Sequence, residues 1–335
     1  MLQVGIIGCG KQAPKHITAL QKLKIDKIFV SDIQPEAARE LAGKYNILSY
    51  PDPEKLLQDN DINVIDICTP TPSHFDYARR ALLSRKHVFC EKPLTPDIDE
   101  AAQLLALCRR QQRVGMVAFV YKYHPLFNQV KEAVDSGVLG TVRAIFMRLG
   151  GIGSHRTWKH QTESGGGVVN EMLSHMLDLL LWFVGDVGSI ETVHLDNLLP
   201  NRRIEGAEVP SVAEDFALVV GKSVSGTKFV VESDLISPAF QNDIQILGSE
   251  GYVKFSVINT QESYIFLNQE HPPYTKGKTP LESRHTDLFE LMFQDFLNRM
   301  QGQNGLQKNS FADSLRLAQL LQEIKRKGKI PVDDR

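Results

Sequence analysis

Val4-Gly5-Ile6-Ile7-Gly8-Cys9-Gly10-Lys11-Gln12-Ala13 is an apolar run that breaks into glycines and then takes up a helical pattern through Leu23. A short apolar strand, GxGxxA and a helix in that order form the dinucleotide fingerprint in its proper context. Gly8 permits the tight turn, Gly10 lets the backbone approach a pyrophosphate, and Ala13 is small enough for a helix to pack on the strand. Cys9, Lys11 and Gln12 complete the loop. The helix start behind it offers unpaired N–H groups and a partial positive charge to phosphates.

Reading outward, the next strand, Lys27 to Val30, ends at Ser31-Asp32-Ile33, about 20 residues past the glycines, where the fingerprint expects an acid. Asp32 is placed to accept hydrogen bonds from the adenosine ribose hydroxyls and to repel a 2′-phosphate, which favours NAD over NADP. The competing role for Asp32 is a cap on the helix that starts near Pro35. Arg39 keeps NADP open. A strand near Ile47 to Ser49 and a helix from Glu54 to Gln58 lead to Asn63-Val64-Ile65-Asp66-Ile67-Cys68, a buried strand that ends in Thr69-Pro70-Thr71-Pro72-Ser73-His74. Its two prolines fix a loop suited to the nicotinamide side of a dinucleotide. His74 reads as a helix-start residue holding that turn, with catalysis as the other option.

Val88-Phe89-Cys90-Glu91-Lys92-Pro93 is the next buried strand, and Pro93 stops it because proline has no N–H for the ladder. Lys92 is thereby presented at the carboxyl edge of the sheet, where open α/β sheets bind ligands. A helix from Ile98 to Arg110 and a strand around Val114 to Phe119 follow. Strand and helix alternating throughout predict a doubly wound parallel sheet over residues 1–120.

Beyond residue 120 the pattern changes. A helix after Tyr121-Lys122-Tyr123-His124-Pro125 runs to about Ser136, and Thr141 to Leu149 reads as a long strand. The polar loop from Gly150 to Ser164 holds His155, Arg156, Trp158, Lys159 and His160, suited to an anionic group or simply to solvent. Gly165-Gly166-Gly167 then opens a nearly all-apolar helix, Val168 to Val184. Glu171, His175 and Asp178 share one stripe of it, at i, i+4 and i+7. Ionisable groups on a buried helix need partners or a cavity. A packing network suits Asp178, and general acid/base work suits His175. Glu171 and His175 lack a third ligand nearby, so no metal is assigned. From Phe216 onward, Phe216 to Val220, Lys228 to Glu232, Ile244 to Leu247, Tyr252 to Val257 and Tyr264 to Leu267 read as antiparallel strands around the Gly248 to Gly251 turn. Two late helices, about His285 to Met300 and Phe311 to Arg326, close an α+β domain over residues 121–335 with a large, mostly antiparallel open sheet.

The 335 residues suffice for two domains. With 42% hydrophobic and 23% charged residues and a formal charge of −2, the composition is that of an ordinary globular protein with no field for nucleic acid. The basic run Lys325-Arg326-Lys327 reads as a solvated helix end. The four cysteines show no CxxC spacing, which points to core residues in a reducing compartment. The apolar helix carries three ionisable groups and is too short for a bilayer, which takes about 20 apolar residues. No leader pattern precedes the first strand, so a cytoplasmic location without membrane contact is expected.

Taken together, Gly8-Cys9-Gly10 with Ala13 and His16, Thr69-Pro70 with His74, Glu91-Lys92-Pro93, and Gly165-Gly166-Gly167 through His175 and Asp178 resemble the Gfo/Idh/MocA oxidoreductases. The resemblance covers nearly the whole chain and rests on the order and spacing of the motifs. It implies a Rossmann domain, a nicotinamide cofactor, a C-terminal α/β domain with a large open sheet, and homodimers or homotetramers packed through that sheet. The family's catalytic lysine and histidine fall on Lys92 and His175. Where the family usually has an aspartate four residues before the histidine, this sequence has Glu171, and where it often has an arginine after the first domain, Lys122 stands here. The expected activity is hydride transfer between NAD and a secondary alcohol or ketone of a carbohydrate-like small molecule. Glu171 would orient Lys92 or His175, and Tyr123, Arg156 and Trp158 would line the substrate. A dinucleotide-sensing regulatory protein and a reductase of a non-sugar cyclic or unsaturated compound are the two alternatives.

Overall fold

The computed structural model describes residues 2–328 apart from 26, 154–155, 205, 283–285 and 304–307, so the expectations at His155 and His285 fall outside the described residues. Two compact units emerge. Met1–Tyr123 and Asp287–Gln319 form the first; His124–Thr286 and Leu320–Arg335 form the second. The first unit's opening segment ends at Tyr123, and a later segment returns to that unit. Met292, Phe293 and Phe296 explain that return: all three are buried in the core shared with Val4, Ile6, Val30 and Phe89.

In the first unit β1 (Gln3–Ile7), α1 (Ala13–Lys22), β2 (Lys27–Ser31), α2 (Pro35–Tyr45), β3 (Leu48–Ser49), α3 (Pro53–Gln58), β4 (Val64–Ile67), α4 (His74–Leu83), β5 (His87–Cys90), α5 (Ile98–Gln111) and β6 (Gly115–Val117) alternate as the pattern predicts. The six strands are parallel, in the order β3-β2-β1-β4-β5-β6. Every residue of β4 is buried, as in a strand covered on both faces. Proline near the first turn starts α1, α2 and α3, while Asp97 starts α5 by accepting from Glu100 N–H. The strand order reverses between β1 and β4, and that switch point is where the carboxyl ends leave a crevice.

The second unit contains α6 (Pro125–Asp135), β7 (Val142–Gly150), α7 (Ser174–Val184), β8 (Val187–Asp196), β9 (Asn201–Ile204), β10 (Ala207–Pro210), β11 (Phe216–Ser223), β12 (Lys228–Asp234), β13 (Gln241–Gly248), β14 (Gly251–Phe255), β15 (Tyr264–Leu267) and β16 (Gly277–Pro280). Eight strands form one sheet, β16-β15-β14-β13-β7-β12-β11-β8, antiparallel except for the parallel pair β7 and β12. Residues alternate across it. Ile145, Met147, Val253 and Phe255 are buried, and the rings of Phe127 and Phe183 meet Phe255. Phe146, Arg148, Tyr252, Lys254 and Phe266 belong to the opposite set, less buried.

Two further helices, α8 (Leu288–Met300) and α9 (Phe311–Lys327), follow. Asp287 caps α8 by accepting from Phe289 and Glu290 N–H. One expectation is corrected here. Lys325 is not a solvated helix end: its Nζ donates to Asn170 Oδ1 at 3.2 Å, and burial pulls its pKa below the usual lysine value against the raising charge of Glu214.

Candidate functional site

Gly8 sits where β1 ends, with φ +97°, a left-handed value that side chains avoid. A Cβ there would meet Cys68 O at 2.7 Å, so the two strands flanking the switch point approach closely only because residue 8 is glycine. Gly10 differs, because a Cβ there would meet no protein atom within 4 Å. Protein packing does not demand that glycine, and the space beside it is open. No side-chain hydrogen bond caps the start of α1; Pro14 has no N–H to offer, and the Lys15 and His16 N–H groups donate to Gln12 O, which leaves fewer unpaired donors at this helix start than the sequence pattern suggests.

Asp32 does two things at once. Its Oδ2 accepts from Cys9 N–H at 2.8 Å, tying the glycine loop to the end of β2, and its Oδ1 accepts from Gln34 N–H at 2.9 Å. The helix that starts at Pro35 has Gln34 at its N-cap and no side-chain cap bond, so Asp32 secures the turn before the helix and does not cap it. Ile33, next to Asp32, is an apolar side chain that is 80% exposed. Arg39 turns to Glu36 instead, at 2.5 Å. On the far side of the switch point Ser73 Oγ donates to Thr69 Oγ1, and Pro70 is exposed while Thr71 is buried.

Lys92 follows β5, and its neighbours in sequence are held by two histidines. Lys92 N–H donates to Glu91 Oε2 at 3.2 Å. Glu91 Oε1 lies 3.0 Å from His16 Nε2, and His16 Nδ1 lies 2.9 Å from Asp66 Oδ2. On the other side, His74 Nδ1 is 2.8 Å from Pro93 O and its Nε2 2.8 Å from Thr69 O. The turn-holding role of His74 is thus what the structure displays. Burial keeps its pKa below the ordinary histidine value, against the pull of the two carbonyls.

In the second unit the helix with the ionisable stripe begins with one π-helical turn, Val169–Leu173, before α7. Gly167 has φ +100°, and Glu214 packs where its side chain would be. Glu214 Oε1 accepts from Val169 N–H, and burial pushes the Glu214 carboxyl upward. Glu171 and His175 are partly exposed, whereas Asp178 is buried. Glu171 is paired with Lys159, which stands 5.2 Å from the centre of the Trp158 ring. Trp158 is half-buried and Arg156 exposed. Tyr123 departs from the expected substrate wall. It is buried in the first unit's core with its hydroxyl donating to Asp295. Lys122, next to it, is also buried, and its carbonyl accepts from Lys308 Nζ.

The sequence assigned no role to Asp66 or Glu214, and it did not show that Lys159 pairs with Glu171 or that Lys325 reaches Asn170. A buried acid inside a parallel strand was the available signal for Asp66, since an unpaired carboxylate there is too costly to stand alone.

A parallel sheet with a glycine loop at its switch point has the arrangement of a dinucleotide-binding fold. Residues 2–119 match the model of the oxidoreductase family with an NAD-binding Rossmann fold, and residues 127–254 match the GFO/IDH/MocA C-terminal domain. The chain belongs to the Gfo/Idh/MocA family of NAD-binding oxidoreductases. An uncharacterized oxidoreductase of Synechocystis sp. is 30% identical over 65% of this chain and 61% of its own length, less than two thirds of that relative. The myo-inositol 2-dehydrogenase of Thermotoga maritima is 23% identical over 80% of this chain and 79% of its own. A levoglucosan dehydrogenase solved with NADH and L-sorbose has the same fold, with a TM-score of 0.88 at 21% identity, covering 98% of this chain and 97% of that one. No helix among the described residues is long and apolar enough to cross a membrane.

Proposed function

We propose that this protein oxidises a secondary alcohol of a sugar, nucleotide sugar or cyclitol with NAD, or reduces the matching ketone. Lys92 at the carboxyl end of β5, on the sheet edge that also carries Gly8, Asp32 and Thr69, is the observation that carries the reading. The inositol and levoglucosan dehydrogenases among its relatives support the substrate class.

Gly8, Cys9, Gly10, Lys11, Gln12 and Ala13 would hold the pyrophosphate, Asp32 and Ile33 the adenosine, and Thr69, Pro70, Thr71, His74 and Glu91 the nicotinamide end. Bound NAD supplies the hydride acceptor. Asp32 and the Arg39–Glu36 pair favour NAD over NADP. Lys92 polarises the substrate oxygen and stabilises the developing alkoxide, and His175 takes the hydroxyl proton. Glu171 orients that machinery while bound to Lys159, and Trp158 and Arg156 contact the ring. The less buried face of the eight-stranded sheet, where Phe146 is 42% exposed and Tyr252 stacks on Phe266 at 5.4 Å, suits a homo-oligomer contact.

Myo-inositol, levoglucosan, L-sorbose and a nucleotide sugar, each offered with NAD, NADP or the reduced forms, test the proposal through the absorbance of reduced nicotinamide. Turnover of at least one ring polyol with NAD preferred is expected. Tight NADH binding with no turnover in either direction would contradict it.

The two glycines provide a separate check on the cofactor residues. Gly10→Ala is expected to leave the unfolding temperature unchanged and to weaken NADH binding about tenfold or more. Gly8→Ala is expected to lower both, since left-handed strain alone costs roughly 1–3 kcal/mol. NADH fluorescence titration and thermal unfolding separate the two. Unaltered binding in Gly10→Ala would remove the pyrophosphate from this loop.

A further inference from the structure

The His16 ring is wholly buried, edged by the rings of Phe289, Phe293 and Phe89 with centroids 5.0, 5.4 and 5.6 Å away. Inside that apolar cage it meets two carboxylates, Asp66 through Nδ1 and Glu91 through Nε2. A neutral imidazole has one N–H and can serve only one of them, so satisfying both ionised acids takes the imidazolium with two donors. Burial acts against a charged ring, yet the Asp66 carboxylate holds the His16 pKa well above its ordinary value. Glu91 in turn lies below the usual carboxylate range: burial opposes this, and the His16 hydrogen bond and the His16 and Lys92 charges outweigh it. Asp66 alone is pushed upward, by its burial.

His16, Asp66 and Cys68 also present metal-ligand atoms within 4.8 Å of one another. The 2.9 Å between Nδ1 and Asp66 Oδ2 is a hydrogen-bond length, and burial drives the Cys68 thiol to about 12, away from the thiolate a metal needs. A proton held between carboxylates is the better account of the cluster.

The three elements joined by this ring border the switch point. His16 belongs to α1, behind the glycine loop; Asp66 belongs to β4; Glu91 follows β5 and accepts the backbone N–H of Lys92. We propose that His16 is a positioning residue for Lys92: clamped between Asp66 and Glu91, its ring fixes the carboxylate that holds the Lys92 backbone. The inference rests on the role given to Lys92 above. Without the imidazolium, Glu91 loses a charged partner inside a dry cage. It must then take up a proton or turn toward another cation, and in either case the support under Lys92 loosens.

The test is His16→Gln in the full-length protein, with turnover measured at saturating NAD and polyol and NADH binding titrated separately. An outer partner of a functional residue is worth about 10–100-fold in activity. The expected result is a fall of that size in kcat, with NADH affinity within about twofold and full binding stoichiometry. In a Lys92→Met background the same change is expected to cost nothing further, because its effect runs through the lysine. An equal fold loss in both backgrounds, or kcat and NADH stoichiometry falling together, would make His16 a merely structural residue and overturn the proposal. If His16→Gln does not fold, Asp66→Asn keeps the ring and its Glu91 bond, and should show a smaller loss with the same split. Unchanged kcat there also overturns it. Failure of the underlying reading looks different, since Lys92→Met would then turn over like the parent.

Discussion

Lys92→Met is expected to lower turnover about a thousandfold or more while NADH binds within about twofold of the parent. The magnitude comes from the charge the reaction develops. Removing one preorganised donor from a developing oxyanion costs roughly 10²–10³ in rate, and an ammonium withdrawn from a site shielded from water costs at the upper end of that scale. Methionine keeps the length and apolar stem of the side chain, so packing is nearly preserved. The backbone contacts around residue 92 also survive, because Glu91 accepts from the main-chain N–H and His74 faces the Pro93 carbonyl. Steady-state turnover and NADH titration, run side by side, separate chemistry from binding. Retained turnover would remove the lysine from the mechanism, and lost NADH binding would make it a cofactor residue alone.

His175→Ala is expected to cost about 10²–10⁴ in turnover, the range that a positioned general base supplies. The helix should tolerate the change. Met176, Leu177, Leu179 and Leu180 around it are buried apolar residues that keep α7 in place, while position 175 is partly exposed. Imidazole added to the alanine variant should restore part of the activity by supplying the missing base from solution. No loss, or a loss that tracks a fall in unfolding temperature, would count against the assignment of the proton to His175.

The architecture was legible wherever burial covers both faces of an element. β1 and β5 announce themselves through apolar runs, β4 does so despite Asp66 within it, and Pro93 marks where β5 stops. The strands β8, β9 and β10 went unread for the opposite reason. β8 lies at the end of the eight-stranded sheet and buries only Ile190 fully, so Glu191 and His194 break the apolar signal an algorithm of alternation needs. β16 closes the other end and is equally exposed. Edge strands carry little hydrophobic pattern because little of them is covered.

At the site, Gly8 was legible because backbone geometry allows few residues there. The partners of charged side chains were not, since they depend on contacts between residues far apart in the chain. Lys159 reaching Glu171, and Lys325 reaching Asn170 from the last helix, are of this kind. Tyr123 shows the same limit. Its sequence context suggested a wall of the substrate site, and an acid far along the chain, Asp295, takes its hydroxyl into the core. The longer arm of Glu171 also acquires a physical meaning, because it serves as the anchor for the lysine beside Trp158.

The central claim is that a hydride leaves the carbinol carbon of a ring polyol for NAD under the control of Lys92 and His175. It is tested most directly with a polyol substrate carrying deuterium on that carbon. The account predicts deuterium recovered in the reduced nicotinamide, at a rate that collapses in Lys92→Met. Deuterium that stays in the polyol, or that washes out into water, would contradict it.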